Sequence, residues 1–501
     1  MRTDGQEPAT RTELRRIAKG GALALTGRLL DQAIGIAVGP VYARCLGVAG
    51  YGLYALARSV CEALRDSLTL GMPWSVARFV AISDGREEHG GAKSALVSGL
   101  RLSVAGTASA AALLFILAHR VASGVFHSRG LARLLRVMAP ALPFTGAALV
   151  FASAGLGRRV VTPKVVGALA NRVASLAVFL VLWRRGLGAE AAAWAVVVGG
   201  LVWLLASAIL TSRIFPELRE TGVGFASRAS SLLAFGLPLA AGGLASFGLA
   251  RANVLVLGAR CTTAEAGIYN AALLVCTIGI FVPDALYQVF GPIVADLHAQ
   301  GETERLQQLF QTVSRWAIAG ALPLMLFAVA QRQGVLGILG AEFTAGTGAL
   351  ALMCAGAMAQ VATGSGGWLL LMSGHQWLHL ANDLAFAALN IGACWLVAPR
   401  YGAVGAAAAA AGVMGLGGLA RLGQVCVLLR VQPYGLRVLK PVAVAVLGSL
   451  PFFLWEASGF VAVLVTAVAY AALVMCGYWL ACLDVEERDI LCAARDRALG
   501  I

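Results

Sequence analysis

Residues 19–80 read KGGALALTGRLLDQAIGIAVGPVYARCLGVAGYGLYALARSVCEALRDSLTLGMPWSVARFV, two apolar segments that can each cross a lipid bilayer and that meet at a short turn over 46–51. Arg28 and Asp31 lie one turn apart in the first segment. Four more charged residues share a face of the second segment at helical spacing: Arg58, Glu62, Arg65 and Asp66. A charge inside a membrane helix costs about 2.5–3.5 kcal/mol on insertion scales and normally faces a bundle interior or a wet cavity. The stretch therefore predicts a polar chamber in a membrane protein.

The composition supports a membrane protein. Hydrophobic residues make up 59% of the chain and charged residues 13%, whereas a soluble domain is about 25% charged. The mean hydropathy is +0.80. The net charge is +14, but no run of basic residues alternates with aromatic ones. This pattern favours bilayer phosphates as partners of the positive charge and argues against nucleic acid.

The apolar segments predict an all-α integral membrane fold, because a helix needs about 20 apolar residues to cross the membrane. We count about 14 transmembrane helices. They are 20–44, 51–74, 94–118, 136–156, 165–183, 190–211, 231–257, 266–290, 313–331, 346–371, 379–398, 403–428, 439–457 and 459–481.

The distribution of lysine and arginine predicts that both termini are cytoplasmic. With that orientation the cytosolic segments carry 21 of these residues and the opposite side carries nine. All four lysines of the chain fall on the cytosolic side. The loop that carries Arg120, Arg129 and Arg133 departs from the rule, since it is basic on the outer side.

Three sequence echoes predict that the first twelve helices form two pseudo-symmetric halves. GYGLYALA at 50–57 is matched by AGIYNAAL at 266–273, and two further pairs of segments match at nearly the same offset. Parallel halves of this kind bind substrate at their interface near the membrane midplane. The predicted domains are a cytosolic tail (1–19), an N-lobe (20–211), a cytosolic linker (212–230), a C-lobe (231–428), two further helices (439–481) and a cytosolic tail (482–501).

Several motifs resemble the polysaccharide transporter family of the multidrug/oligosaccharidyl-lipid/polysaccharide (MOP) flippase superfamily. They are ARCLGVAGYGLYALA at 43–57, LGMPWSVARFVA at 70–81, and LLAFGLPLAAG at 232–242 followed by AGIYNAAL. The resemblance implies a MATE/MurJ-like, V-shaped bundle in a bacterial inner membrane. It further implies a Wzx-like flippase for undecaprenyl-diphosphate-linked oligosaccharide units of O-antigen, capsule or exopolysaccharide. A polymerase and a chain-length regulator are then candidate partners beside the membrane lipids. Two relatives compete with this interpretation, the lipid II flippase and the MATE-type drug/cation antiporters.

Nine arginines fall within predicted spans and favour an anionic substrate. A guanidinium group pairs bidentately with phosphate oxygens and stays charged, and it repels a cationic drug. We expect the diphosphate to be bound by Arg28, Arg58, Arg65 and Arg251, with Arg101, Arg172 and Arg136 as further candidates. The alternative is that Arg28–Asp31 and Arg58–Glu62 are internal ion pairs. Arg315 and Arg421 lie near span ends, where their side chains can reach the membrane surface.

Four carboxylates in the spans are candidates for coupling to H⁺ or Na⁺: Asp31, Glu62, Asp66 and Asp284. For Asp31 and Glu62 a simple role as counter-ion to an arginine is the competing interpretation. His375 and His379 stand four apart in a predicted cytosolic turn, which favours an interfacial position over metal binding.

No cofactor, metal site or enzyme motif is predicted. The ten cysteines form no CxxC pair, and the chain has no Walker A lysine, HExxH, GxSxG or GxGxxG after a strand. A polysaccharide polymerase or ligase would carry large outer loops, and the predicted outer loops are short. We therefore predict a transporter driven by an ion gradient, the membrane potential or downstream consumption of its substrate.

Overall fold

The protein is all-helical in the part that the computed structural model describes, which is residues 7–481 except 87, 89, 220–227 and 365. The predicted all-α membrane fold is confirmed. The predicted tail 482–501, most of the predicted linker and the start of the tail 1–19 lie outside the described residues. The α-helices are α1 (Glu7–Leu68), α2 (Met72–Gly85), α3 (Gly91–Gly124), α4 (Arg129–Met138), α5 (Ala141–Gly157), α6 (Thr162–Arg184), α7 (Ala189–Ile214), α8 (Ala229–Ala250), α9 (Ala252–Arg260), α10 (Thr263–Ala299), α11 (Thr303–Ala330), α12 (Arg332–Leu339), α13 (Thr347–Ala362), α14 (Gly366–Met372), α15 (Gln376–Leu428), α16 (Leu439–Leu454) and α17 (Phe460–Ala481). Short 3₁₀ turns cover Pro216–Arg219, Ala341–Gly346 and Leu436–Val438.

Two of these helices are too long to be single membrane crossings. α15 has 53 residues, about 80 Å at 1.5 Å per residue, whereas the hydrocarbon layer is about 30 Å thick. Each long helix is broken at a glycine with positive φ, Gly47 in α1 (φ 65°) and Gly402 in α15 (φ 55°). Glycine adopts this backbone conformation without the steric penalty that a Cβ brings. Gly47 lies between the first two predicted spans, 20–44 and 51–74. Gly402 lies between the last two predicted spans of the C-lobe, 379–398 and 403–428.

The number of membrane spans agrees with the sequence. Eleven helical segments of the described chain are long and apolar enough to cross a membrane, and the bent pair α4–α5, with an angle of 42°, makes up to twelve. When each of the two broken segments is counted as two crossings, the number becomes fourteen. The predicted span 231–257 differs in detail, because α8 ends at Ala250 and α9 begins after Arg251.

By packing, the chain divides into two units, the first ending at Gly267 and the second beginning at Ile268. Unit 1 contains α1–α9 and the start of α10. Its core is built where α2, α3, α5 and α8 pack together, around Met72, Val76, Leu96, Val150 and Leu232, all at most 1% exposed. The predicted boundary between the lobes at 212–230 stays a prediction.

Two glycines matched by the predicted repeat are in direct contact within unit 1. A Cβ added to Gly52 of α1 would lie 1.7 Å from the Thr263 carbonyl oxygen. One added to Gly267 of α10 would lie 2.3 Å from the Val48 carbonyl oxygen. The crossing of α1 and α10 therefore depends on the absence of side chains, as is common between membrane helices.

Unit 2 contains the rest of α10 and α11–α17. One of its cores brings together α11, α14 and the end of α15 around Phe310, Leu370 and Val425. The α16–α17 connection is fastened to α11 by the Gln331 amide. Its Nε2 donates to the carbonyl oxygens of Phe452 and Trp455, and its Oε1 accepts from the Ala457 amide. The Phe452 carbonyl lies in the last turn of α16, and the Trp455 and Ala457 groups lie in the non-helical connection that follows. The buried Gln331 therefore satisfies backbone groups that have no partner within a helix.

Candidate functional site

A carboxylate shared by two arginines lies within unit 1. Arg58 Nε donates to Glu62 Oε1 at 2.7 Å, and Arg251 Nε lies 3.9 Å from Glu62 Oε2. Arg58 Nη1 also donates to the Tyr54 hydroxyl at 3.3 Å. The side chains of Arg58, Glu62 and Arg251 are 36%, 18% and 35% exposed. Two guanidinium groups therefore meet one carboxylate at a place that remains accessible.

A second ion pair continues this group along α1. Arg65 Nε donates to Asp66 Oδ1 at 2.9 Å, and the two side chains are 23% and 34% exposed. Arg65 also lies near enough to Glu62 to interact with it electrostatically. We call the six residues the Glu62 cluster: Tyr54, Arg58, Glu62, Arg65, Asp66 and Arg251.

Local structure explains how the cluster forms. Tyr54, Arg58 and Glu62 follow one another at a spacing of four, so one face of α1 presents them in a row. Arg251 reaches the cluster because it is the residue between α8 and α9, with φ −131° and ψ −17°. The sequence indicated that Arg58 and Arg251 converge, but it gave no sign of this helix break or of the part played by Tyr54.

A separate ion pair joins α1 to α6. Arg172 Nε donates to Asp31 Oδ1 at 3.0 Å, and both side chains are about one-third exposed. The sequence offered Arg28 as the partner of Asp31, but the Arg28 side chain lies outside the described part of the chain. Aromatic packing lies between this pair and the Glu62 cluster: Tyr42 stacks on Phe179 with centroids 4.0 Å apart and contacts Tyr54 at 5.3 Å.

The other predicted site residues are distributed over both units. Arg101 and Arg136 lie on exposed faces of α3 and α4 in unit 1. Asp284 is exposed on α10, and Arg315 is half-buried on α11, both in unit 2. The roles predicted for these four residues stay predictions.

Unit 2 holds a charged pair that the sequence did not reveal. Arg421 Nη2 donates to Asp383 Oδ1 at 2.7 Å, and each side chain is 13% exposed. His379 Nε2 lies 3.7 Å from Asp383 Oδ2. The expectation that Arg421 extends to the membrane surface is wrong, because the two halves of α15 pack together and bring Asp383 within reach. The neighbouring amides of Asn382 and Gln424 exchange two hydrogen bonds across the same contact.

A third charged network lies in unit 1 outside the apolar spans. Arg158 donates to Asp84 and Glu217 and its guanidinium lies 4.0 Å from the Phe215 ring centroid. Burial raises the pKa of the Glu217 carboxyl, but the hydrogen bond from Arg158, a backbone hydrogen bond and the positive charge of Arg158 together outweigh burial and lower that pKa. Arg228, which donates to Glu88, lowers the pKa of Glu88. The network ties the ends of α2, α5 and α7 together.

The chemistry of the Glu62 cluster is that of an anion site already occupied by the protein's own carboxylates. Its charged side chains carry three positive and two negative charges, and guanidinium groups bind phosphate and carboxylate in the same way. Among the described residues, no group of three or more His, Cys, Asp or Glu side chains is placed to hold a metal ion.

Solved structures show the same fold. The lipid II flippase MurJ in an inward closed conformation matches with a TM-score of 0.74 and 12% identity, over 94% of this chain and 100% of that one. An inward-facing MATE-family multidrug resistance transporter of the MOP superfamily matches with a TM-score of 0.63 and 15% identity, over 80% and 94%. The Vibrio cholerae MATE transporter VcmN in its bent form matches with a TM-score of 0.56 and 14% identity, over 85% and 98%.

The sequence itself places the chain in a family. No curated protein matches it. The profile of the polysaccharide biosynthesis protein family matches residues 17–295, which is more than half of the chain. The resemblance noted in the sequence is therefore confirmed: this multi-pass membrane protein belongs to the polysaccharide biosynthesis protein family and has the fold of the MOP superfamily flippases.

Proposed function

We propose that the protein flips undecaprenyl-diphosphate-linked oligosaccharide units across a bacterial inner membrane by alternating access, for the synthesis of O-antigen, capsule or exopolysaccharide. The family assignment supports a role in polysaccharide synthesis, and the fold supports transport. The single observation that carries the proposal is the Glu62 cluster, in which Arg58 of α1 and Arg251 at the α8–α9 break share a carboxylate.

In this proposal the diphosphate competes with Glu62. A bound diphosphate takes the place of the carboxylate between Arg58 and Arg251 and draws its contacts from α1 and from the α8–α9 break. Glu62 then keeps the empty site from holding two unpaired guanidinium groups, which would be costly where water is scarce. Arg65, Arg28, Arg101 and Arg172 remain candidates for contacts further along the substrate.

Coupling to H⁺ or Na⁺ is a second part of the proposal. The chain has no ATP-binding motif, so the drive comes from a gradient, the membrane potential or removal of the product. The carboxylates considered are Asp31, Glu62, Asp66 and Asp284.

We expect Asp66→Asn or Asp284→Asn to weaken the response of transport to an imposed ion gradient. If both variants keep the full response, the two residues are structural.

The lipid II flippase function is the second candidate, favoured by the match to MurJ over nearly the whole chain. A cation antiporter is disfavoured by the arginines of the Glu62 cluster, which repel a positively charged drug. An integral-membrane polymerase or ligase is disfavoured by the fold.

A reconstitution experiment tests the function. Purified protein in liposomes is given a fluorescent lipid-linked oligosaccharide, and the accessibility of the label to a quencher is followed. A flippase changes the sidedness of the label, whereas a polymerase changes the length of the sugar chain. Lipid II in parallel liposomes separates the two flippase candidates. Failure to move either lipid faster than protein-free liposomes do would contradict the proposal.

The orientation is proposed from the positive-inside pattern, with both termini in the cytoplasm. Reporter fusions after Leu480 and within residues 212–228 should both report the cytoplasm. A periplasmic signal at either position would overturn this topology.

A further inference from the structure

One end of unit 1 carries a concentration of arginine that the proposed transport site does not use. We call it the basic surface. It consists of six exposed residues from two segments, 119–136 and 183–190: Arg120, Arg129, Arg133, Arg136, Arg184 and Arg185. Glu190 is the one acidic residue in these two segments, and it pairs with Arg133 at 2.9 Å. The surface therefore has a large excess of positive charge.

Contacts within unit 1 bring the two segments together. The Arg133–Glu190 pair joins α4 to the start of α7. Trp183 Nε1, at the end of α6, donates to the Cys45 carbonyl oxygen of α1 at 3.0 Å. The helix α4 also packs on α1, where a Cβ on Gly130 would lie 3.6 Å from Leu53 Cδ1. All three contacts lie at the end of unit 1 where α1 is broken.

The orientation of α4 is fixed by its apolar side. Leu131, Leu135 and Met138 are fully buried in unit 1. Arg129, Arg133 and Arg136 follow at intervals of four and three, so they share the opposite, exposed face. Since the buried side anchors the helix, this arginine face points away from the protein interior.

Exposed apolar residues lie next to the arginines along the chain. Ile116 is 72% exposed on α3, one turn before Arg120, and Val181 is 54% exposed on α6, just before Arg184. Such residues face the hydrocarbon layer in a membrane protein. The arginines that follow them lie where the helices leave that layer, which is the level of the lipid headgroups.

The positive-inside pattern does not account for these charges, because the predicted topology puts them on the outer side. An ion pair with Glu190 balances one of the six arginines, Arg133. We propose that the basic surface binds the headgroups of anionic phospholipids that reside in the membrane. The diphosphate of a polyprenyl carrier has similar chemistry, and it is the competing outcome of the test below. The inference does not depend on the proposed flipping activity.

Native mass spectrometry of the full-length protein in detergent tests the inference. Delipidated protein is titrated with phosphatidylglycerol or with phosphatidylcholine. We expect R129Q/R133Q/R136Q to lower the occupancy of phosphatidylglycerol at least threefold and to leave that of phosphatidylcholine unchanged. The matched control R86Q/R305Q/R400Q removes three other exposed arginines and should retain wild-type binding. Thermal unfolding of each variant reports on folding.

A second variant guards against misfolding of the first. R184Q/R185Q changes only the last residue of α6 and the first residue after it, and it should lower phosphatidylglycerol occupancy about twofold. Equal occupancy in wild type and both variants, or an equal loss in the control, would overturn the inference. Competition with undecaprenyl diphosphate tests the assignment to phospholipid. If undecaprenyl diphosphate displaces phosphatidylglycerol at a lower concentration, the surface belongs to the carrier and the inference is overturned. If it does not, the assignment to phospholipid is supported.

Discussion

The two units each hold an arginine–carboxylate group within membrane helices, and the groups differ in charge balance and in exposure. In unit 1, Glu62 lies between Arg58 and Arg251, and the arginines are about one-third exposed. In unit 2, Asp383 is bound by Arg421, and both side chains are 13% exposed. A buried one-to-one pair has little capacity to accept another anion. An accessible carboxylate shared by two arginines can be replaced by a ligand with more negative charge.

The comparison assigns different roles to chemically similar groups. Breaking a buried pair by removing one partner leaves an uncompensated charge and is strongly destabilising. At an accessible pair water relieves much of that cost, so the same substitution affects binding more than folding. We therefore expect the Asp383 pair to act in stability and the Glu62 cluster to act in substrate binding.

The largest expected effect is that of Asp383→Ala, which leaves the Arg421 guanidinium buried without its carboxylate. We expect a loss of about 3–5 kcal/mol in the free energy of unfolding. It would be measured as lower protein abundance and a lower melting temperature in detergent. The double variant Asp383→Ala/Arg421→Met removes both charges and should recover most of the loss. Normal stability with lost transport in Asp383→Ala would break the comparison, because the buried pair would then be functional.

Arg58→Ala should have the next largest effect, and it should appear in substrate binding. Losing a desolvated charged contact costs about 2–5 kcal/mol, so we expect the affinity for the lipid-linked diphosphate to fall more than tenfold. Arg58→Lys keeps the charge but loses the bidentate geometry, so its affinity should be intermediate. Fluorescence binding in detergent measures the affinity, and the melting temperature serves as the control.

The double variant Arg58→Ala/Glu62→Ala decides whether Arg58 acts through binding or through folding. If Arg58 only balances Glu62, removing both restores abundance and transport. If Arg58 contacts the substrate, affinity stays low although abundance is normal. Arg305→Ala, at an exposed position of unit 2, serves as a charge-matched control.

The sequence predicted the parts of this arrangement that depend on neighbouring residues. Arg58 and Glu62 are four apart on one helix, and helical geometry alone places them together. The pairing of Asp31 with Arg172 crosses 141 residues of chain and depends on how α1 packs on α6. The same is true of Arg421 and Asp383, which meet only because α15 folds back at Gly402. Apolar spans can be located from local composition, but partners on different helices cannot.

The Arg172–Asp31 pair tests the comparison with one arginine and one carboxylate, as in the Asp383 pair, but at an exposure similar to that of the Glu62 cluster. Each side chain is about one-third exposed, so the pair should contribute about 1 kcal/mol or less to stability. Arg172→Ala should therefore fold almost normally, and any loss of transport reports on substrate binding. Arg172→Ala/Asp31→Ala is the control for an effect of Asp31 left alone. If Arg172→Ala lowers the melting temperature strongly and the double variant reverses this, the pair acts in stability like the Asp383 pair. It would then not act in binding like the Glu62 cluster.

The smallest expected effect concerns the charged network outside the spans. The carboxyl groups of Glu217 and Glu88 have lowered pKa values in the folded protein. A lowered folded pKa gives stability that is fully present above the unfolded pKa, which is about 4.3 for Glu, and that is lost as the pH falls through the folded pKa. The melting temperature should therefore decline modestly as the pH falls from about 5 toward 3. Glu217→Gln should reduce this decline while changing the melting temperature little at pH 4. The network lies outside the membrane spans and is partly exposed. If Glu217→Gln leaves the pH profile unaltered, solvent screens the Arg158–Glu217 pair completely. Exposure alone would then distinguish the weak charged contacts from the strong ones.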